Sequence, residues 1–214
     1  MIFKIFSLIK FRILCYLKRI YISPFWHYIP SSILKNTGER TTFNRGPIIC
    51  GNVKIGKFCS INGPNTSILS KTDYISIGSF CSIGQGCMIL DFSHNISRIT
   101  TSYINAKMQS RFLANPDIIS SGPILIEEDV WIGTNVVIVG GVRIGRGSII
   151  SANAFVTKDI PRYSVVAGSP AIEIKKRFNN KAIAYLESTG WWNLNTLDDL
   201  KSFNKYLEDL NQKK

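Results

Sequence analysis

Acidic residues are absent from positions 1–38, where Lys4, Lys10, Arg12, Lys18, Arg19 and Lys35 carry half of the formal net charge of +12. An imbalance of this kind suits a nucleic acid, a membrane surface or a polyanionic ligand and does not choose among them. No helix-turn-helix, zinc-finger or RRM signature is present, which argues against nucleic acid. Histidine occurs only twice, at His27 and His94, and the five cysteines (Cys15, Cys50, Cys59, Cys81, Cys87) form no CxxC pair. Both facts exclude a structural zinc site and any metal centre built from three imidazoles. Long apolar runs are missing too: charges interrupt residues 2–22 every few positions, so no spanning helix is expected there. No A-x-A-like site ends that stretch, which speaks against a secretory signal. The cysteines therefore read as reduced thiols of a cytoplasmic protein.

What is present fits one main domain with appendages, since 214 residues with 45% hydrophobic content and 19% charge suffice for one substantial core. Residues 1–45 form a basic amphipathic segment. At 100° per residue Lys4, Arg12, Lys18 and Arg19 share one side of a helix, while Ile9, Ile13, Tyr16, Leu17 and Ile20 gather opposite; Lys10 breaks the pattern. Such a helix lies on an anionic lipid surface or packs against protein, and the pattern leaves both partners open.

From about residue 48 apolar residues recur in pairs two apart, each pair following the last by six within a run. They read Val53/Ile55, Cys59/Ile61, Ile75/Ile77, Cys81/Ile83, Cys87/Ile89, Ile124/Ile126, Val130/Ile132, Val136/Ile138, Val142/Ile144, Ser148/Ile150 and Ala154/Val156. A spacing of two puts both members on one face of a short strand. Glycine often follows, at Gly56, Gly78, Gly84, Gly133 and Gly145, where a turn is expected to need its backbone freedom. Three strand-and-corner units of about eighteen residues close one triangular coil, and stacked coils bury the paired positions in a continuous column. Cys59, Cys81 and Cys87 occupy such inward positions and are expected to pack as small apolar side chains. The class is all-β, a parallel β-helix over residues 46–176.

The runs IGSFCSIGQGCMI and VWIGTNVVIVGGVRIGRGSIISANAFVTKDIPRYSVVAGSPA resemble the hexapeptide-repeat acyltransferases, closest to their xenobiotic and O-antigen O-acetyltransferase type. The period does not set the hand of the coil; the resemblance implies a left-handed one. It also implies transfer of an acetyl group from acetyl-CoA, without a metal, by a homotrimer with active sites between subunits. Residues 177–214 carry helical patterning from Lys181 to Leu210, expected to cap the column's end or a neighbour.

The repeat breaks between Leu90 and Pro123, and an excursion of that length over residues 91–123 is the natural place for chemistry. His94 lies near its start, in DFSHN, where the similar enzymes keep a general base. A sugar hydroxyl is a poor nucleophile, and imidazole titrates near neutrality. Asp91, or a neighbouring subunit's carboxylate, is a candidate to orient the ring, and Asp91, Ser93, Asn95 and Tyr103 are the expected contacts to the acceptor. Trp131 lies between two inward positions and must point outward; the resemblance puts it by the CoA thiol. By the same resemblance Gly133, Thr134, Ala152, Thr157 and Lys158 line the cofactor groove and Lys175 contacts a phosphate. Ile172 departs from the pattern, since relatives carry Lys or Arg there, and Arg162, Lys176 or Arg177 are candidates to compensate. His27, outside the repeats, reads as structural.

A γ-type carbonic anhydrase needs three histidine ligands, which this chain lacks. A sugar nucleotidyltransferase needs a preceding nucleotide-binding domain for which the residues before the repeats leave no room. The expected acceptor is a sugar hydroxyl of a bacterial surface polysaccharide or its precursor, with an antibiotic acceptor and a non-catalytic scaffold as alternatives. The expected location is the cytoplasm, with the N-terminal segment a reason to look at the membrane's inner face.

Overall fold

The computed structural model describes residues 29–105 and 116–193, together with residues 15, 16, 18, 21, 22 and 207. Most of the helix expected over residues 2–22, His27 and most of the patterning that runs to Leu210 lie outside the described residues; the end of that stretch, Tyr21–Ile22, is a strand and not helix. Three sheets form the faces of a prism. The first contains Tyr21–Ile22, Thr42–Asn44, Ser60–Asn62, Ser82–Ile83, Trp131–Ile132, Ile149–Ile150, Ser164–Ala167 and Ile172–Lys176. The second contains Ile48–Cys50, Ser67–Leu69, Met88–Leu90, Val137–Val139 and Phe155–Val156, and the third Val53–Ile55, Ile75–Ile77, Ile124–Ile126 and Arg143–Ile144. The chain visits first, second and third sheet in turn and then starts the next coil, and the column so built is a left-handed parallel β-helix.

The register explains why the pairs recur. Ile61 lies against Ile83, Ile83 against Ile132 and Ile132 against Ile150, so each inward side chain stacks on its counterpart one coil away. Every residue of the inward pairs is at most 3% exposed. Positions without an apolar signature join them: Thr41 and Thr66 precede buried Phe43 and Ile68. Their hydroxyls are satisfied by backbone, Thr41 Oγ1 donating to Gly56 O at 2.9 Å and Thr66 Oγ1 to Asn62 O at 2.6 Å. The column starts ahead of residue 46: Thr37 already bridges to Ile55, and helix α1, Ser31–Lys35, buries Ile33 and Leu34 in the same core.

The glycines after the pairs serve a different purpose from the one their position suggests. None of Gly56, Gly78, Gly84, Gly133 and Gly145 has a positive φ. A Cβ on Gly133 would sit 2.6 Å from Ala152 N, and one on Gly78 2.6 Å from Glu127 C, so glycine is required because adjacent coils touch backbone to backbone. The left-handed corner falls two residues later, at Phe58, Phe80 and Asn135 among others.

The excursion leaves the corner between second and third sheets, after Leu90, and returns to Ile124. Its stem is an antiparallel ladder of Ser93–His94 with Ile118–Ile119. At the other end, Ser164–Ala167 is followed by the antiparallel strand Ile172–Lys176, and helix α2, Asn180–Thr189, begins where Asn179 Oδ1 accepts from Ala182 N–H at 2.9 Å. α2 does not cap the column's end. It lies along the corner between third and first sheets of its own column, where the Glu187 carboxylate accepts from Arg146, Arg162 and Tyr163. Trp191 then packs on Phe80, with ring centroids 5.3 Å apart.

Candidate active site

His94 is exposed on the ladder, and its Nδ1 lies 2.6 Å from the carbonyl oxygen of Thr101. A carbonyl only accepts, so the proton sits on Nδ1 and the Nε2 lone pair is left for another donor. Tyr103 stacks on the imidazole, with ring centroids 4.2 Å apart and planes inclined by 19°. The segment carrying Thr101 and Tyr103 is tied down by buried Asp117, which accepts from Asn105 N–H at 2.7 Å and Asn105 Nδ2 at 2.6 Å. Thr101 and Asp117 escaped the sequence reading: a main-chain acceptor has no residue signature, and Asp117 looks like any loop carboxylate.

One of the expected acceptor contacts, Asp91, is corrected, and Ser93 points elsewhere. Asp91 is fully buried, and its carboxylate accepts from Ser70 Oγ at 2.7 Å, Lys71 N–H at 2.8 Å and Asp73 N–H at 2.9 Å. It closes a corner of the column and neither orients His94 nor reaches an acceptor. Asn95 spends its side chain inside the excursion, Oδ1 accepting from Ser97 N–H at 3.1 Å and Nδ2 donating to Pro116 O at 3.0 Å. Ser93 is exposed, but successive strand residues alternate, so it faces away from the His94 side of the ladder. Tyr103 remains at the site, against the imidazole itself.

Trp131 projects from the first sheet and is 56% exposed. Register places it in an outward row with Ile149, Val165 and Lys175, three strand spacings or about 14 Å long. This row offers an apolar strip that ends in a cation, which fits an extended apolar arm carrying phosphate. Beside Trp131 a cavity of about 320 Å³ is lined by Phe80, Ser82, Asp129, Ile149 and Arg177. Burial pushes the Asp129 carboxyl above its ordinary value, against the pull of Arg177 2.9 Å away.

The remaining cofactor positions divide between two corners. Gly133, Thr134 and Ala152 lie where the first sheet passes to the second, in consecutive coils, with Gly133 buried and Ala152 exposed. Thr157 and Lys158 are exposed where the second sheet passes to the third, the edge from which the His94 ladder emerges. In a three-sided prism that edge faces away from the first sheet, so one protomer does not bring His94 to Trp131 and Lys175. The cations proposed to compensate for Ile172 are committed to protein: Arg162 to Glu127 and Glu187, Lys176 to Glu173 and Ser164, Arg177 to Asp129 and Gly147 O.

Cys59, Cys81 and Cys87 are buried free thiols that donate to backbone carbonyls of the next coil, as Cys87 Sγ does to Gly133 O at 3.1 Å. Burial raises the Cys87 thiol, and in Cys81 the bond with Cys59 and burial together do so. The same bond lowers the Cys59 thiol, but Cys59 is buried in the column like the other two, so none of the three is placed to act as a nucleophile.

A left-handed β-helix interrupted by a histidine-bearing excursion defines a class of transferase scaffold, and comparison with known proteins agrees. The bacterial transferase hexapeptide (six repeats) family matches residues 123–158. A probable macrolide acetyltransferase of Lysinibacillus sphaericus is 40% identical over 126 residues, covering 56% of this chain and 70% of the relative. A chloramphenicol acetyltransferase of Morganella morganii is 36% identical over 135 residues, 61% of this chain and 64% of its own. A hexapeptide-repeat-containing acetyltransferase of Vibrio cholerae O1 biovar eltor, solved with acetyl-CoA, matches with a TM-score of 0.52 at 26% identity, over 81% of this chain and 79% of that one. The chain belongs to the hexapeptide-repeat acetyltransferases. It spans only 60 to 64% of the length of the chloramphenicol acetyltransferases it matches.

Proposed function

We propose that the protein transfers the acetyl group of acetyl-CoA to a hydroxyl of a sugar, in a bacterial surface polysaccharide or its lipid-linked precursor. The observation that carries this reading is the His94 imidazole, held through Nδ1 by Thr101 O with Nε2 left bare on an exposed ladder. Nε2 takes the acceptor's hydroxyl proton as the oxygen attacks the thioester carbonyl carbon. The resulting oxyanion is stabilised by backbone N–H groups. The C–S bond then breaks, and the CoA sulfur leaves with the proton held by the imidazolium, giving the ester and free thiol. The Thr101 carbonyl holds the ring by its Nδ1–H throughout. No acyl-enzyme is required.

The separation of His94 from the Trp131 row supports sites shared between copies, in a homotrimer as the family likeness implies. CoA then lies between the His94 edge of one protomer, with Thr157 and Lys158, and the Trp131, Thr134, Ala152 and Lys175 surface of the next. The outward row Ile48, Ser67, Met88, Val137 and Phe155 on the second sheet, apolar but for Ser67, is a face suited to packing copies together. The protein works in the cytoplasm, and the basic start of the chain favours a membrane-borne glycan over a soluble acceptor.

Release of CoA thiol is to be measured with lipid-linked glycans, free sugars, amino sugars and antibiotics, for the native protein and for His94→Ala. Turnover on a glycan that vanishes in the variant supports the reading. Absence of turnover on every acceptor leaves the scaffold alternative. The names of the relatives favour a second reading, an antibiotic hydroxyl, which best turnover on chloramphenicol or a macrolide would establish.

A further inference from the structure

Charge is divided along the chain more sharply than the total suggests. Residues 1–72 hold eleven Lys and Arg against one acid, Glu39, whereas residues 73–214 hold fifteen against thirteen. Most cations of the last coils are used internally: Arg143, Arg146, Arg162, Lys176 and Arg177 all sit in ion pairs, leaving Lys158 and Lys175 for the proposed cofactor. In the first coils Lys57 donates to Asn193 O and Lys18 to the carbonyls of Leu34, Lys35 and Thr37, but five other cations are placed differently. Lys35, Arg40, Arg45, Lys54 and Lys71 are exposed, and none forms an ion pair with a described residue; Arg40 and Lys71 lie over the Phe58 and Phe92 rings.

Their placement is radial. Lys35 ends α1, Arg40 occupies the corner between third and first sheets and Arg45 the corner between first and second. Lys54 points out from the terminal strand of the third sheet, and Lys71 stands at the corner between second and third. The five form a collar around one end of the prism, with Glu39 and Asp73 the only acids among residues 29–73. A collar meets a flat anionic surface end-on, whereas a cationic stripe along one side would suit a rod. The chain preceding the collar interleaves Lys4, Lys10, Arg12, Lys18 and Arg19 with Ile, Leu and Phe, an aliphatic content that a bilayer interface accommodates and a phosphate backbone does not use.

We propose that this end of the column docks on an anionic phospholipid surface, with the β-helix axis close to the membrane normal. The inference rests on the proposed lipid-linked acceptor for its purpose: end-on docking leaves the excursion on the column's flank, a few coils from the headgroups, where a glycan on a lipid carrier reaches it.

The full chain is to be sedimented with vesicles of phosphatidylcholine alone and of phosphatidylcholine with phosphatidylglycerol. It is expected to pellet only with the anionic vesicles and to be released by salt. The combined variant K35Q/R40Q/R45Q/K54Q is expected to bind about a hundredfold more weakly, at roughly a factor of five for each cation before screening. A variant of equal net charge altered elsewhere, K181Q/K201Q/K205Q/K213Q, is expected to bind nearly as the native protein does, with both variants checked for unchanged thermal melting. Equal loss in the two variants, equal pelleting with neutral vesicles, or retention on duplex DNA but not on vesicles would each overturn the proposal. Thiol release with a soluble sugar separates the two readings: collar substitutions leave it intact, and docking without turnover on any glycan defeats only the acceptor reading.

Discussion

One hydrogen bond and one stacked ring hold the His94 imidazole, and each can be removed without touching the other. Replacing His94 by Ala is expected to lower kcat by about 10²–10⁴-fold, the usual worth of a general base, with little change in melting temperature because the side chain is exposed. Tyr103→Phe keeps the stack and should stay close to native in steady-state assays. Tyr103→Ala loses it and should cost about 2- to 10-fold in kcat, from the roughly 0.5–1.5 kcal/mol of an aromatic pair. If the phenolic hydroxyl binds the acceptor instead, Phe and Ala fall together in kcat/KM. His94 was legible because imidazoles are scarce and this one sits in the break of a strong repeat. Asp91 misled for the same reason: it opens that break, but three donors from the neighbouring corner claim its oxygens before any substrate can.

The coil element is governed by how closely its corners stack. Gly133→Ala is expected to destabilise the protein by about 1–3 kcal/mol, since the new methyl has only the backbone of Ala152 to displace. Differential scanning calorimetry checks it, and a neutral result would mean that the coils part more easily than the geometry indicates. The sequence located these glycines and suggested turn freedom; the positive φ values two residues later show that the constraint is proximity between coils. The α2 corner makes the same point with charge. Burial would raise the Glu127 carboxyl, but bonds from Arg162, the Arg146 N–H and Arg143 outweigh it and hold the group at about 2. Its folded value lies below the ordinary 4.5, so the network stabilises the fold above about pH 4.5 and fades as pH falls towards 2. Glu127→Gln should therefore melt lower than the native protein at neutral pH, with the gap closing as the solution is acidified to about pH 2. A gap that persists unchanged at low pH would refute the assignment.

The whole molecule is organised by a prism that keeps its His94 edge away from its Trp131 face. If sites form between protomers, His94→Ala and Trp131→Ala chains, each poorly active alone, should complement when co-assembled from an equal mixture. Random assembly puts one intact His94 opposite one intact Trp131 at about a quarter of the sites. Recovery to about that fraction of native turnover is expected, measured by thiol release after the two chains are refolded together; no recovery would confine the site to a single chain.

Sequence alone determined the column. A period of six and a spacing of two in Ile, Val and Cys fix which side chains turn inward, because strand alternation and stacking leave the apolar positions no other common face. Tertiary structure decided what that pattern does not encode: the Thr101 carbonyl that sets the His94 tautomer, the burial of Asp91, the Arg162, Lys176 and Arg177 pairs, and the placing of His94 and Trp131 on opposed sides. Each of these depends on which corners of different coils come together, and contacts made by backbone atoms or across a prism carry no signature in residue order.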